Sequence, residues 1–194
     1  MSLQRSKTWS TLPGWINVQR DSYPLRVTTP VEISPYDANW PIRFEDLRGQ
    51  VAAALVELNV GIEHVGSTAV PGLSAKPVID IDVVVPSDAS VADVVDRLVA
   101  SGYRHEGDLG IPGREALEAP PGRWDHHLYV VTAGNAAHRN HVMFRDYLRA
   151  HPEEAAKYGD LKVALASVFV TDRDGYTTAK TDFITEIIRA AGER

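Results

Sequence analysis

Two short apolar runs, residues 62–65 and 78–85, are rich in β-branched side chains and read as buried strands. A turn of small residues containing Gly66, Ser67, Pro71 and Gly72 separates them. Upstream, Phe44, Leu47, Val51, Leu55 and Leu58 recur at helical spacing and predict a helix over 40–58. Asp37 or Asn39 can cap it, and Pro41 suits a first helical turn. Residues 31–33 form a short predicted strand, ended by Ser34-Pro35-Tyr36-Asp37. A second helix is expected from Ser87-Asp88 through Val91, Val94, Val95, Leu98 and Val99, closed by Gly102. Next come a strand at 103–106, a Gly- and Pro-rich loop at 107–122, and a strand at 124–131. That last strand puts Asp125, His127, Tyr129 and Val131 on one face. Beyond Gly134 the period turns helical, over 141–150, 152–170 and 177–191. The order predicts an α+β fold in which helices flank a mixed β-sheet and further helices form the C-terminal part. Residues 31–194 read as one domain, and 1–30, which show no sustained period, as an irregular N-terminal extension over it.

The second apolar run interrupts its own pattern with Asp80 and Asp82. In a strand these two share a face, about 6.6 Å apart along the chain. Two ionised carboxylates at that separation repel by roughly 2.5 kcal/mol at an effective dielectric near 20. A divalent cation is the simplest compensation.

Composition narrows the classes. The chain has 194 residues, 44% apolar and 24% charged, as in an ordinary globular protein. Without cysteine it has no disulfide, zinc–thiolate or thiol chemistry. No apolar run is long enough to span a bilayer, and no basic–apolar leader opens the sequence, so no membrane role and a cytoplasmic location are expected. A net charge of −6 argues against general nucleic-acid binding while leaving room for a nucleotide ligand beside local cations. A Walker A lysine, a G-x-G-x-x-G fingerprint and a G-x-S-x-G elbow are all missing, which argues against P-loop kinase, dinucleotide-binding and serine-hydrolase readings.

The Gly66-Ser67 turn followed by Asp80-x-Asp82 resembles the signature of the nucleotidyltransferase superfamily. The chemistry is legible in the residues themselves. A Gly-Ser turn offers backbone N–H groups and a hydroxyl to phosphate oxygens. Paired carboxylates hold Mg²⁺ against those oxygens, and Lys76 can add a point charge. A longer match is to the GrpB family, which belongs to that superfamily. It is carried by Glu63-His64-Val65-Gly66-Ser67-Thr68, Val70-Pro71-Gly72-Leu73, Ala75-Lys76-Pro77 and Ile79-Asp80. Looser resemblances follow in Gly110-Ile111-Pro112-Gly113-Arg114, His127-Leu128, the stretch from Phe144 to Arg149, Tyr158 with Leu161-Lys162, and Tyr176 with Lys180.

The resemblance implies a nucleotidyltransferase-like sheet, a nucleoside triphosphate with Mg²⁺ or Mn²⁺, and transfer of a nucleoside monophosphate to a small acceptor. Asp80 and Asp82 are then the catalytic and metal-binding acids, and Gly66, Ser67 and Thr68 the phosphate cradle. The superfamily usually supplies a third carboxylate from a neighbouring strand. None is evident here, and His127 or Asp125 is the substitute ligand. This favours a second reading, a nucleotide-binding or regulatory module without turnover. The family's fusions to dephospho-CoA kinase would link such a module to coenzyme A metabolism.

Arg114 is either a bidentate grip on an anion or a surface arginine, and His64 either a structural hydrogen-bonding residue or a substrate contact. Lys162 and Lys180 each follow a tyrosine by four residues and are either triphosphate ligands or surface lysines. Arg145 and Arg149 read as a solvated helix face, though Arg145 is also a candidate, with His64 and Tyr129, for contacts behind the site. His138-x-x-His141 reads as a helix start capped by Asn140 rather than as a metal pair.

Overall fold

The β-branched run at the centre of the sequence becomes the middle of a five-stranded sheet. The structure, a computed structural model, describes residues 30–193. The strands are β1 (Gly61–Val65), β2 (Ile79–Val85), β3 (Arg104–Gly107), β4 (Arg114–Glu118) and β5 (His126–Thr132). Their order across the sheet is β1-β2-β5-β4-β3; β2 and β5 are parallel and every other pair is antiparallel. The helices are α1 (Trp40–Ala54), α2 (Val91–Ala100), α3 (Ala136–Ala150), α4 (Pro152–Val168), α5 (Arg173–Ala179) and α6 (Thr181–Gly192). The expected mixed sheet with flanking and C-terminal helices is therefore present. The N-terminal extension, Pro30 apart, lies outside the described residues.

Register divides the sheet into two chemically different faces. Ile79, Ile81, Val83 and Val85 of β2 share a face with Leu128 and Val130 of β5. They form one core with Trp40, Phe44, Leu47 and Val51 of α1 and Val94, Val95 and Leu98 of α2. Each such side chain contributes about 1.5–3 kcal/mol when taken out of water. The opposite face carries Asp80 and Asp82, in register with His127 and Tyr129 on β5 and with Val65 and Glu63 on β1. Above it lies a second core joining Val70 and Leu73 to Phe144, Leu148, Ala155, Tyr158 and Ile187 of the C-terminal helices.

Several boundaries differ from the periodicity, each for a local reason. Residues 31–33 form no strand; Ser34 makes a single bridge to Ala75, and Val31 N–H bonds the Val170 carbonyl at 2.8 Å. α1 stops at Ala54 rather than at 58, because Glu57 adopts φ 71 and turns the chain towards β1. Leu55 and Leu58 keep their core contacts from outside the helix. The predicted loop 107–122 contains β4, a five-residue strand masked in the sequence by the glycines on either side, Gly113 (φ 72) and Gly122 (φ 85). α3 begins at Ala136, capped by Asn135, whose Oδ1 accepts the Ala137 N–H at 2.8 Å; Asn140 is not the cap. α4 ends at Val168. The last predicted helix, 177–191, is two helices interrupted at Lys180, with Asp172 capping the first.

Candidate functional site

Gly66 follows β1 with φ 72 and ψ −171, a conformation open to glycine almost alone. A Cβ there would sit 2.1 Å from Asp80 Oδ2. The turn backbone thus lies directly against the first carboxylate of β2. Gly66, Ser67 and Asp80 line one cleft of about 240 Å³ with Arg114, Tyr129, His141, Tyr158 and Lys180.

The two acids share a sheet face but not an environment. The Asp80 side chain is 30% exposed, and its Oδ1 is 2.8 Å from His127 Nδ1. Asp82 is fully buried beneath α3. His138 Nδ1 approaches its Oδ2 at 2.9 Å, and His141 Nδ1 approaches the same oxygen at 3.0 Å. Burial alone would raise the Asp82 pKa, yet the two imidazoles outweigh it and hold the carboxyl near 2. Burial opposes the charged form of His141 as well, but Asp82 raises its pKa above the usual imidazole value.

Sequence reasoning missed both histidines as partners of Asp82. Once Asn135 rather than Asn140 is the cap, His138 and His141 become an i, i+3 pair on one helix face, directed at the sheet. A third acid on this face was missed as well. Glu63 on β1 pairs in register with Asp82. Its Oε2 receives Arg145 Nη1 at 2.9 Å, and the same Nη1 donates to the His64 carbonyl at 3.0 Å. Arg145 is therefore a tie between α3 and β1, not part of a solvated face. Arg149 is exposed, as expected of a solvated face, while its Nε donates to the Ala69 carbonyl at 2.9 Å.

His64 and Thr68 are buried beneath the turn and do not line the cleft. Thr68 Oγ1 donates to the Val78 carbonyl at 3.3 Å, so His64 Nε2, 3.0 Å away, donates to Thr68. His64 also stacks on Phe44 at 4.6 Å. Burial lowers its pKa to about 4 and keeps it neutral. Both residues shape the turn from behind. Asp125 precedes β5, is exposed, and is not among the residues lining the cleft.

The lysines converge from three parts of the chain. Lys76 and Lys180 Nζ lie 4.7 and 4.3 Å from the centroid of the Tyr176 ring. Lys162 Nζ lies 4.5 Å from the Tyr158 ring, is 2% exposed, and has no hydrogen-bond partner among the described residues. Burial, followed by the charge of Lys180, pushes the Lys162 pKa well below the usual amine value. Lys180 falls to about 7, first through burial and then through Lys76. Asp80 partly offsets both shifts, so the cations sit within its field. The tyrosine–lysine spacing marked helix positions for Tyr158 and Lys162 in α4, while Lys180 falls at the break between α5 and α6.

For Mg²⁺ or Mn²⁺ the donor set is one open carboxylate, Asp80, beside His127. Among the described residues no group of three or more acidic and imidazole side chains is arranged to hold a metal ion. Asp82 is fully engaged by two imidazoles, and Glu63 by Arg145. Such a set suits a cation that keeps its waters and takes remaining ligands from substrate phosphates, as Mg²⁺ does.

Comparison with known proteins bears on the family and the fold. The family model described as "GrpB protein" matches residues 30–190. A UPF0157 protein of Streptomyces coelicolor is 40% identical over 162 residues, covering 84% of each chain. The UPF0157 protein YqkA of Bacillus subtilis is 32% identical over 181 residues, which are 93% of this chain and 52% of that protein. The chain thus spans about half the length of that relative. The crystal structure of conserved protein GrpB from Enterococcus faecalis superimposes with a TM-score of 0.75 at 33% identity, over 84% of this chain and 98% of that one. The chain belongs to the GrpB family.

Proposed function

We propose that this protein is a nucleotidyltransferase that moves a nucleoside monophosphate from a nucleoside triphosphate to a small acceptor. The observation that carries the reading is the contact between Gly66 and Asp80 at the open cleft, where a phosphate-sized turn lies against an accessible carboxylate. The Gly66–Ser67 turn would receive the terminal phosphates through backbone N–H groups and the Ser67 hydroxyl. Lys180, with Lys162 behind it and Lys76 beside it, supplies positive charge to the same phosphates. A bound Mg²⁺ or Mn²⁺, held by Asp80 with His127 alongside, would neutralise charge on the phosphate oxygens. In the transfer, an acceptor hydroxyl or amine bonds to the α-phosphorus and its proton passes to water. The bond from that phosphorus to its bridging oxygen breaks, and pyrophosphate leaves with the oxygen. Asp82 acts by fixing His141, which lines the cleft, together with His138 behind it.

The test is calorimetric titration of each nucleoside triphosphate with Mn²⁺ into wild type and Asp80→Asn. The reading requires binding in wild type that the substitution weakens at least tenfold; equal binding in the two proteins would reject this site.

One observation favours the runner-up, a nucleotide-binding module without turnover. The second acid of the pair is sealed and hydrogen-bonded by two imidazoles. Nucleotide binding with no pyrophosphate release across a broad acceptor panel would select this alternative. A nucleotidylated product would eliminate it.

A further inference from the structure

Arg114 is the most deeply buried cation of the cleft, at 1% exposure, and it is under-used. Its guanidinium carbon lies 4.3 Å from the centroid of the Tyr129 ring, and its Nε and Nη2 have no hydrogen-bond partner among the described residues. Leaving buried donors unpaired is costly, and the cleft in front of Arg114 is where a ligand could satisfy them. Asp82, one of the acids whose field reaches Arg114, makes no hydrogen bond to it and is already engaged by two histidines.

The backbone that delivers Arg114 is locked. Asn135 Nδ2 donates to the Gly113 carbonyl at 3.0 Å, tying the approach to β4 to the cap of α3. Gly113 has φ 72, and a Cβ on it would lie 2.6 Å from that same nitrogen. A guanidinium held this firmly, stacked on an aromatic ring with two donors free, is organised for a planar or tetrahedral oxyanion.

Its position separates it from the phosphate cradle. Across the sheet the order runs from Gly66 after β1, through Asp80 on β2, to Tyr129 on β5 with the guanidinium over it. β4 lies two strands from β2, about 10 Å away. The turn lies on the β1 side of Asp80 and the Arg114 guanidinium on the β5 side, and both line the same cleft with Lys180, Asn140 and His141.

We propose that the acceptor carries a carboxylate or phosphate group, received by Arg114 on the side of Asp80 away from the triphosphate. This rests on the transferase reading, whose own test concerns Asp80. The experiment uses full-length protein labelled with ¹⁵N in its arginines and follows the Nε–Hε signals. The Arg114 signal is identified by its loss in Arg114→Lys. Acetate, succinate and inorganic phosphate are titrated with the triphosphate site saturated by a non-hydrolysable analogue and Mn²⁺; acetamide is the uncharged control. The proposal expects the Arg114 signal to shift with an anion and not with acetamide, and at least tenfold weaker binding of that anion to Arg114→Lys. Succinate or acetate acting alone would identify a carboxylate acceptor, and phosphate acting alone a phosphorylated one. The proposal is overturned if no anion moves any arginine Nε–Hε signal of the wild type, a result that does not depend on the variant folding. It is also overturned if the triphosphate analogue itself shifts the signal and displaces the anion, since Arg114 then serves the nucleotide. An anion shift in a protein that binds no triphosphate would remove the transferase reading and the acceptor role with it, leaving Arg114 as a plain anion seat.

Discussion

Replacing Gly66 by alanine perturbs the site at one atom, and the cost can be worked out from its surroundings. With φ 72 and ψ −171 the position lies where a side chain strains the backbone, at about 1–3 kcal/mol. The new Cβ would meet Asp80 Oδ2 at 2.1 Å, Cγ at 2.8 Å and Cβ at 2.9 Å, so Asp80 must rotate or β2 must shift. Overpacking of that kind costs about 1–3 kcal/mol, and turning Asp80 away forfeits its hydrogen bond with His127, about 1 kcal/mol more. The expected loss is about 3–7 kcal/mol in all. Gly72→Ala is the control, because Gly72 has φ 79 with no atom near the added Cβ; only backbone strain remains, about 1–2 kcal/mol. With an m-value of about 2 kcal/mol/M, the urea midpoint should fall by roughly 1.5–3.5 M for Gly66→Ala and roughly 0.5–1 M for Gly72→Ala. Repeating Gly66→Ala in an Asp80→Ala background removes the carboxylate from the clash, and the two changes should couple by about 1–3 kcal/mol. Equal midpoints for the two glycine variants, or additivity within about 0.5 kcal/mol in the double mutant, would refute the close approach on which the site is built.

Three other outcomes follow from the buried ionisable groups. Lys162→Met removes an unpartnered buried amine and should raise stability by about 1–3 kcal/mol in urea denaturation while weakening tripolyphosphate binding; a destabilised variant with intact binding contradicts both halves. With its pKa near 7, Lys180 is charged below neutral pH and must take up a proton to greet a polyanion above it. Tripolyphosphate affinity should therefore fall about tenfold from pH 6 to pH 8, and calorimetry on Lys180→Met should show a flatter profile. His64 is neutral in the fold down to about pH 4, whereas unfolded it protonates near 6.5. Between those values the unfolded chain binds more protons, so acidification should cost up to about 3 kcal/mol, measurable as a falling denaturation midpoint; His64→Gln should lose that slope.

Much of the site was legible in the chain because it is local. Gly66, Ser67 and Asp80 belong to one strand–turn–strand unit, and the period of a strand is enough to put Asp80 and Asp82 on one face. The helices were legible for a similar reason, since their apolar stripes repeat within a few residues. β4 was hidden by its punctuation, because flanking glycines with positive φ look the same whether they bound a loop or a short central strand. Lys162 lay at a legible position on a legible helix, but its burial depended on packing between helices that no single period encodes.

Sequence alone determined the alternation, the turn chemistry and the pairing of two acids, all of which depend on neighbours a few residues apart. Tertiary structure decided which acid opens to the cleft and which is sealed. Asp80 and Asp82 have nearly the same local sequence, but His138 and His141, more than fifty residues away, arrive over only one of them. Arg114 is the same case from the other side: its charge was visible in the chain, while its burial over Tyr129 required β4 to enter the sheet beside β5. A carboxylate or guanidinium takes its chemistry from the dielectric and the partners around it, and those are assembled only when distant segments meet.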